Sequence, residues 1–409
     1  MRYHVLALLC AAAVIAYVQR LGFNVAEGTI RADLKLDKEQ LGQIMSAWFL
    51  GYAIMQIPAG WLADRFGSRR ILTILALVWS VLTGMTGLAW DFYSLLGIWF
   101  AMGLAQAGIF PCSAKSIGQW FDDSKRASAL GLLGSSMALG SAIAPALTGL
   151  LVTQYSWPPV FVAYALVGIA WAIIYFLNVP DTCPLLALRA HKKGPPPKWT
   201  GKDWRSLFTS VPMILLCGQQ FFRAWGMAFF FTWFATFLQE TRHVDLAASG
   251  LMTGLVGLGA MAGGILGGFF SDWLLRRTGN RRLSRQGMAV VGLSLCSGLV
   301  LISGSIEDRD LAIGVMTLGA FAGTFGGIAG YTVAVDFGGT RVATVFSIMN
   351  TCGNIGAALF PFIVGSIINL TGNWNLVLYL FAGVLALDAI IWAFLNPRRP
   401  LFQDDDEPH

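Results

Sequence analysis

Two arginines stand inside long apolar stretches of this sequence, Arg20 and Arg223. An arginine in the middle of a membrane-spanning helix costs about 3 kcal/mol on insertion scales, so each needs a water-filled cavity, an acidic partner or a substrate. A guanidinium offers planar forked donors that match a carboxylate or a phosphate. This is the chemistry of holding an anion, with no bond made or broken. The competing explanation is an internal ion pair, for which Asp388 is the only carboxylate well inside an apolar run; Asp64, Asp272 and Asp336 lie near run ends. With no acid beside either arginine, anion binding is expected. Tyr17 lies three residues before Arg20, and Gln219 and Gln220 lie four and three before Arg223, so helical spacing sets them on the arginines' faces. They would offer hydroxyl and amide bonds to a polyhydroxylated or oxo acid. Gln106, Tyr52, Gln56, Asn350 and Asn354 are further candidates, and helix-to-helix hydrogen bonding accounts for the asparagines as well. Gln19, next to Arg20, points elsewhere.

Other charges suit gating. Asp64, Arg65, Arg69 and Arg70, together with Lys125 and Arg126, and in the second half Asp272 and Arg276, are expected to form ion pairs that break as two halves rock. Enforcing topology is the alternative role for the basic members. Lys115 falls near the inner end of its run, where it would snorkel toward an inner vestibule and draw an anion.

The elements that must position these groups follow from composition. Of 409 residues, 56% are hydrophobic and 12% charged, where soluble domains carry about 25% charged residues. That excludes a water-soluble enzyme. The 47 glycines, the 28 phenylalanines and a mean hydropathy of +0.64 fit close-packed helices in lipid. Apolar runs predict twelve spans, near 5–26, 40–62, 71–90, 94–119, 127–153, 158–178, 209–238, 246–274, 285–305, 310–335, 341–368 and 374–395. The first reads as a retained span and not a removable signal. The expected organisation is an N-terminal six-helix bundle over 1–179, a cytoplasmic linker over 180–205, a C-terminal bundle over 206–396 and a cytoplasmic tail over 397–409. Twenty of the 28 basic residues fall on the side that holds both termini and five on the other; Arg20, Lys115 and Arg223 remain inside spans. That bias predicts a plasma-membrane protein with both termini cytoplasmic.

The halves repeat. Gly60-Trp-Leu-Ala-Asp64-Arg65-Phe-Gly67-Ser-Arg69-Arg70 closes the second span, and Gly268-Phe-Phe-Ser-Asp272 followed by Arg276, Arg277, Gly279, Arg281 and Arg282 closes the eighth. The two aspartates are 208 positions apart and the two arginines 203. Parallel repeats about an axis along the membrane normal give this pattern. The six cysteines have neither metal-ligand nor redox-pair spacing. No phosphate-cradling loop and no paired metal motif is present, so no bound nucleotide, metal or other cofactor is expected, and the net charge of +6 is a topology signal with no nucleic acid expected as partner.

The Gly60 to Arg70 segment resembles the signature loop of the major facilitator superfamily, and the hydropathy resemblance spans the chain. Tyr17-Val-Gln-Arg20, Gly51-Tyr-Ala-Ile-Met-Gln-Ile-Pro-Ala-Gly60, Phe110-Pro111-Cys-Ser-Ala-Lys115 and Asn350-Thr-Cys-Gly353-Asn354 resemble its anion:cation symporter branch. That branch includes bacterial hexuronate and galactonate carriers and animal sialic acid, phosphate and vesicular glutamate transporters. Members such as the galactonate carrier have an acid just before the first-helix arginine and a glutamate in the fourth helix, both tied to proton coupling. Gln19 and Gln106 stand at the matching positions here, and Trp99 replaces an arginine often found nearby. The resemblance implies an organic-anion carrier and leaves coupling to a proton, to sodium or to neither open.

The expectation is therefore an all-helical membrane carrier, acting as a monomer in the lipid bilayer, that moves a small organic anion such as a sugar acid by alternating access. An organophosphate or inorganic-anion exchanger and a non-transporting receptor on the same scaffold are the rival readings.

Overall fold

The computed structural model describes residues 1–121, 123–180, 205, 207–338 and 342–397; side chains at 64, 123–128, 335, 338, 342 and 343 are outside the description. Most of the expected linker and tail, and the side chains of Asp64, Lys125 and Arg126, therefore lie outside the described groups. Among the described residues the structure is helical and contains no strand. The helices are α1 (Arg2–Leu34), α2 (Lys38–Phe66), α3 (Ser68–Thr86), α4 (Phe92–Gln106), α5 (Ile109–Trp120), α6 (Asp123–Tyr155), α7 (Trp157–Asn178), α8 (Val211–Thr232), α9 (Phe234–Arg242), α10 (Leu246–Thr278), α11 (Met288–Gly304), α12 (Arg309–Gly327), α13 (Ala329–Gly338), α14 (Val342–Thr371) and α15 (Trp374–Phe394). A π-helical turn, Arg282–Gly287, leads into α11.

Ten spans long and apolar enough to cross a bilayer are found among the described residues, and α8 with α9, bent by 54°, makes an eleventh. The remaining expected span, α2, is 29 residues long but carries Glu39, Gln40, Gln43, Gln56, Asp64 and Arg65.

Helix ends follow local chemistry. The Asp37 side chain accepts from Gln40 N while the Gln40 side chain reaches back, and Asp91 and Ser94 repeat the arrangement at α4. These boxes satisfy backbone donors at the starts of α2 and α4. Lys35, in the left-handed region, closes α1. The first span thus runs eight residues beyond its expected end at Ala26. Two expected spans are broken: the fourth into α4 and α5 at Ala107–Gly108, and the tenth into α12 and α13 at Ile328. The seventh bends at Trp233.

The described residues fall into two compact units. The first lies within Met1–Gly194, Phe229–Leu258 and Ala358–Trp374, and the second within Pro195–Ala228, Gly259–Ala357 and Asn375–His409. In the first unit, a Cβ on Gly42 would lie 2.3 Å from the Pro361 carbonyl oxygen, and one on Gly250 would lie 2.4 Å from that of Pro145. Only glycine permits such backbone approach. Gly42 and Gly250 are 208 positions apart, the spacing of the two signature aspartates, so the sequence repeat reappears as paired helix contacts.

Candidate substrate-binding site

In the first unit Arg20 sits on α1 with its guanidinium 4.2 Å from the Tyr17 ring centre and 4.4 Å from that of Trp48 on α2. The i, i+3 spacing delivers Tyr17, as expected; Trp48 was not anticipated. Trp48 in turn leans on Tyr52, with ring centres 5.0 Å apart. Among the described residues Arg20 forms no ion pair, and its buried Nε has no hydrogen-bond acceptor. Aromatic faces stabilise the charge by about 0.5–2 kcal/mol without spending its forked donors.

The neighbouring amides serve the packing. Gln19 is buried; its Nε2 donates to the Tyr164 carbonyl at 2.8 Å, and its Oε1 accepts from Trp79 Nε1 at 2.8 Å. An amide supplies both donor and acceptor, which a carboxylate could not do. Gln106, at the end of α4, donates to the Ala16 carbonyl of α1 at 3.2 Å. Trp99 packs on Phe23, with ring centres 4.2 Å apart. Lys115 donates from Nζ to the Ala63 carbonyl at 2.7 Å, placing a cation at the carboxyl-terminal end of α2, where the helix dipole favours it.

In the second unit Arg223 on α8 donates to Gln220 Oε1 from Nε (3.2 Å) and Nη2 (2.8 Å), and from Nη2 to the Tyr331 hydroxyl (2.9 Å). Its Nη1 makes no hydrogen bond among the described residues. Tyr331, on α13, also lies under the guanidinium at 5.1 Å and stacks on Phe346 of α14 at 5.5 Å. The break before α13 brings it there, 108 positions along the chain from Arg223, where no spacing rule reaches. Gln220 shares Arg223's face as expected. Gln219 instead is fully buried against Gly330 and donates to the Leu216 carbonyl at 2.9 Å. Asn354 donates within α14 to the Asn350 carbonyl at 3.0 Å.

The charged candidates separate. Arg65 lies over Trp61 and Phe66, and Arg69 donates to the Phe176 carbonyl. Arg70 and Arg276 are exposed. Asp272 pairs with Arg285 at 3.0 Å, and Arg285, nearly buried, also reaches the Ser271 hydroxyl.

Asp388 is not the only buried carboxylate on a spanning helix. Glu27, buried within the extended α1, accepts from the Thr236 hydroxyl of α9. Arg31 lies 3.9 Å from Glu27 and 3.4 Å from Glu240, and Glu240 also receives Lys38 and, at 2.9 Å, Trp374 Nε1. Glu27 is seven residues after Arg20 and four before Arg31. Continuing α1 would have put all three on one stripe.

Comparison with known proteins identifies the class of this largely apolar chain, helical throughout its described residues. The model of the Major Facilitator Superfamily matches residues 9–361, and the chain belongs to that family. It is 29% identical to the Cupriavidus necator protein named "Probable sulfoacetate transporter SauU", across 99% of this chain and 96% of the other. It is 29% identical to the Bacillus subtilis "Probable galactarate/D-glucarate transporter GudP" (95% and 90% covered) and 28% identical to the Bacillus subtilis "Hexuronate transporter" (97% and 94%). A bacterial homologue of the human lysosomal transporter Spinster, solved in an inward-facing and unoccupied conformation, shares the fold with a TM-score of 0.76 at 20% identity, over 96% of this chain and 94% of that one.

Proposed function

We propose that this protein is a secondary transporter of a small organic anion, a carboxylate such as a sugar acid or a sulfonate-bearing acid, working by alternating access in the plasma membrane. The observation that carries the reading is that, among the described residues, Arg20 in one unit and Arg223 in the other form no ion pair and rest on aromatic rings and neutral side chains. Both guanidiniums bind the transported anion, Arg20 with Tyr17 and Trp48, Arg223 with Gln220 and Tyr331. The relatives support the substrate class, since their names specify a sulfonated acetate, aldarates and hexuronates.

The basic-residue bias supports cytoplasmic termini and a cytoplasmic linker between two six-helix halves. In that orientation Glu27, Glu240, Arg31 and Lys38 lie at the outer end, where they latch α9 to α1 and α2. Asp272 with Arg285 lies at the inner end as the second half's gate charge. Exchange in proteoliposomes tests the function. Vesicles preloaded with unlabelled sulfoacetate or D-glucarate are expected to take up the labelled acid. Exchange of phosphate but of neither acid would overturn the carboxylate reading.

A further inference from the structure

Asp388 on α15 is completely buried, and neither of its carboxyl oxygens has a hydrogen-bond partner. Its level is set by the helix it packs on. Gly226 of α8 meets Leu385 and Phe381 of α15, and Gly218 meets Ile391. Residue 388 lies midway between 385 and 391, so it faces the stretch of α8 between 218 and 226, where Arg223 stands. Among the described residues Arg223 and Asp388 form no ion pair. The arginine's bonds go to Gln220 and Tyr331 instead.

Among the described residues, the π-helical turn that meets the end of α15 through Gln286 carries Arg282 and Arg285, and Arg285 is held by Asp272; the indole of Trp392, one turn from Asp388 on α15, is a buried donor without a partner. Arg223 is the only charged residue of α8, Asp388 the only one of α15, and α11 and α14 carry none. The remaining titratable groups on these helices are Cys217, Cys296, Cys352 and Tyr379. A carboxylate left ionised and unpaired in such a setting costs several kcal/mol, so its charge must be met by a proton or by the guanidinium. The guanidinium stays charged throughout.

Resting on the proposed role of Arg223 in holding the transported anion, we propose that Asp388 is the proton-binding site that couples transport to a proton. When Arg223 holds no anion, it swings to the Asp388 carboxylate and the pair is neutral. When the anion claims Arg223, a proton from water bonds to a carboxyl oxygen of Asp388, and the site remains neutral in the low-dielectric interior. Release of the anion returns Arg223 to Asp388, and the O–H bond breaks to give the proton back to water. One proton thus accompanies each anion charge held by Arg223.

The test compares two modes in the same proteoliposomes, with sulfoacetate and D-glucarate as probes. Exchange needs no net proton movement; uphill accumulation under an inward proton gradient does. Wild-type protein is expected to accumulate the probe under the gradient, and Asp388→Asn to lower the ratio of accumulation to exchange at least tenfold. Exchange with equal gradient-driven accumulation in both proteins overturns the proposal alone, as does wild-type accumulation driven by sodium and not by protons. Absence of exchange in the wild type overturns the carrier reading and this proposal with it. A second measurement needs no variant: adding either probe to wild-type protein in weakly buffered detergent should draw about one proton per bound anion, read with a pH dye. Binding without proton uptake overturns the proposal.

Discussion

Arg223 and Arg20 are stabilised by different neighbours, and each set makes its own prediction. The Tyr331 hydroxyl is one of the two groups that aim the Arg223 fork. Tyr331→Phe keeps the ring and removes that bond, worth about 0.5–1.5 kcal/mol. Affinity for sulfoacetate or D-glucarate, by calorimetric titration, is expected to fall about three- to tenfold while the protein stays folded; unchanged affinity would remove Tyr331 from the site. Gln19 makes the opposite case. Its amide both donates to Tyr164 and accepts from Trp79 inside the first unit, so Gln19→Glu strands the Tyr164 carbonyl. A stranded buried acceptor costs about 1–3 kcal/mol, and the melting temperature should drop by several degrees, with no gain in proton-driven uptake. A melting temperature equal to wild type would show that the amide is dispensable. Both arginines, Tyr17 and Gln220 were legible because helix period alone relates them. Trp48 and Tyr331 were not, because they arrive from other helices and nothing in local spacing announces them.

Among the helices, the contacts that rest on glycine and on Glu240 are the ones to probe. A methyl group on Gly42 or Gly250 would meet a proline carbonyl at 2.3 or 2.4 Å, and no rotamer can relieve a clash between backbones. Gly42→Ala and Gly250→Ala are each expected to lower the melting temperature by several degrees, and Gly42→Ala to speed alkylation of a cysteine placed at Ser46, whose hydroxyl accepts from the Phe362 N–H beside Pro361. Alkylation at the wild-type rate would mean that the helices part without consequence. Glu240 gathers Arg31, Lys38 and Trp374. Glu240→Gln should lower the melting temperature at low salt, and the deficit should shrink near 1 M salt, where the screening length falls to about 3 Å. A deficit independent of salt would assign the effect to packing. Helix existence was readable from apolar runs, but helix ends were not. The turn of α1 past Ala26 is polar on one side only because Glu27 and Arg31 find partners on α9, and the breaks in the fourth and tenth spans depend on close packing that composition does not encode.

For the molecule as a whole, the two-fold repeat was legible at 208 positions because the same signature residues close the second and eighth spans. It returns in the structure as Gly42 on Pro361 and Gly250 on Pro145. The family follows from the match over residues 9–361. The substrate was legible only as a charge, since two guanidiniums specify an anion and not its carbon skeleton. The central claim of the proposed function is that each of the two guanidiniums is needed to bind the transported anion. Its most direct test is a thermal-shift titration of purified wild-type, Arg20→Ala and Arg223→Ala proteins with sulfoacetate and D-glucarate, because a ligand that binds only the folded state raises its melting temperature. The account predicts a concentration-dependent rise in the wild type that is lost in both variants, each still melting cooperatively without ligand. An undiminished rise in either variant would contradict it.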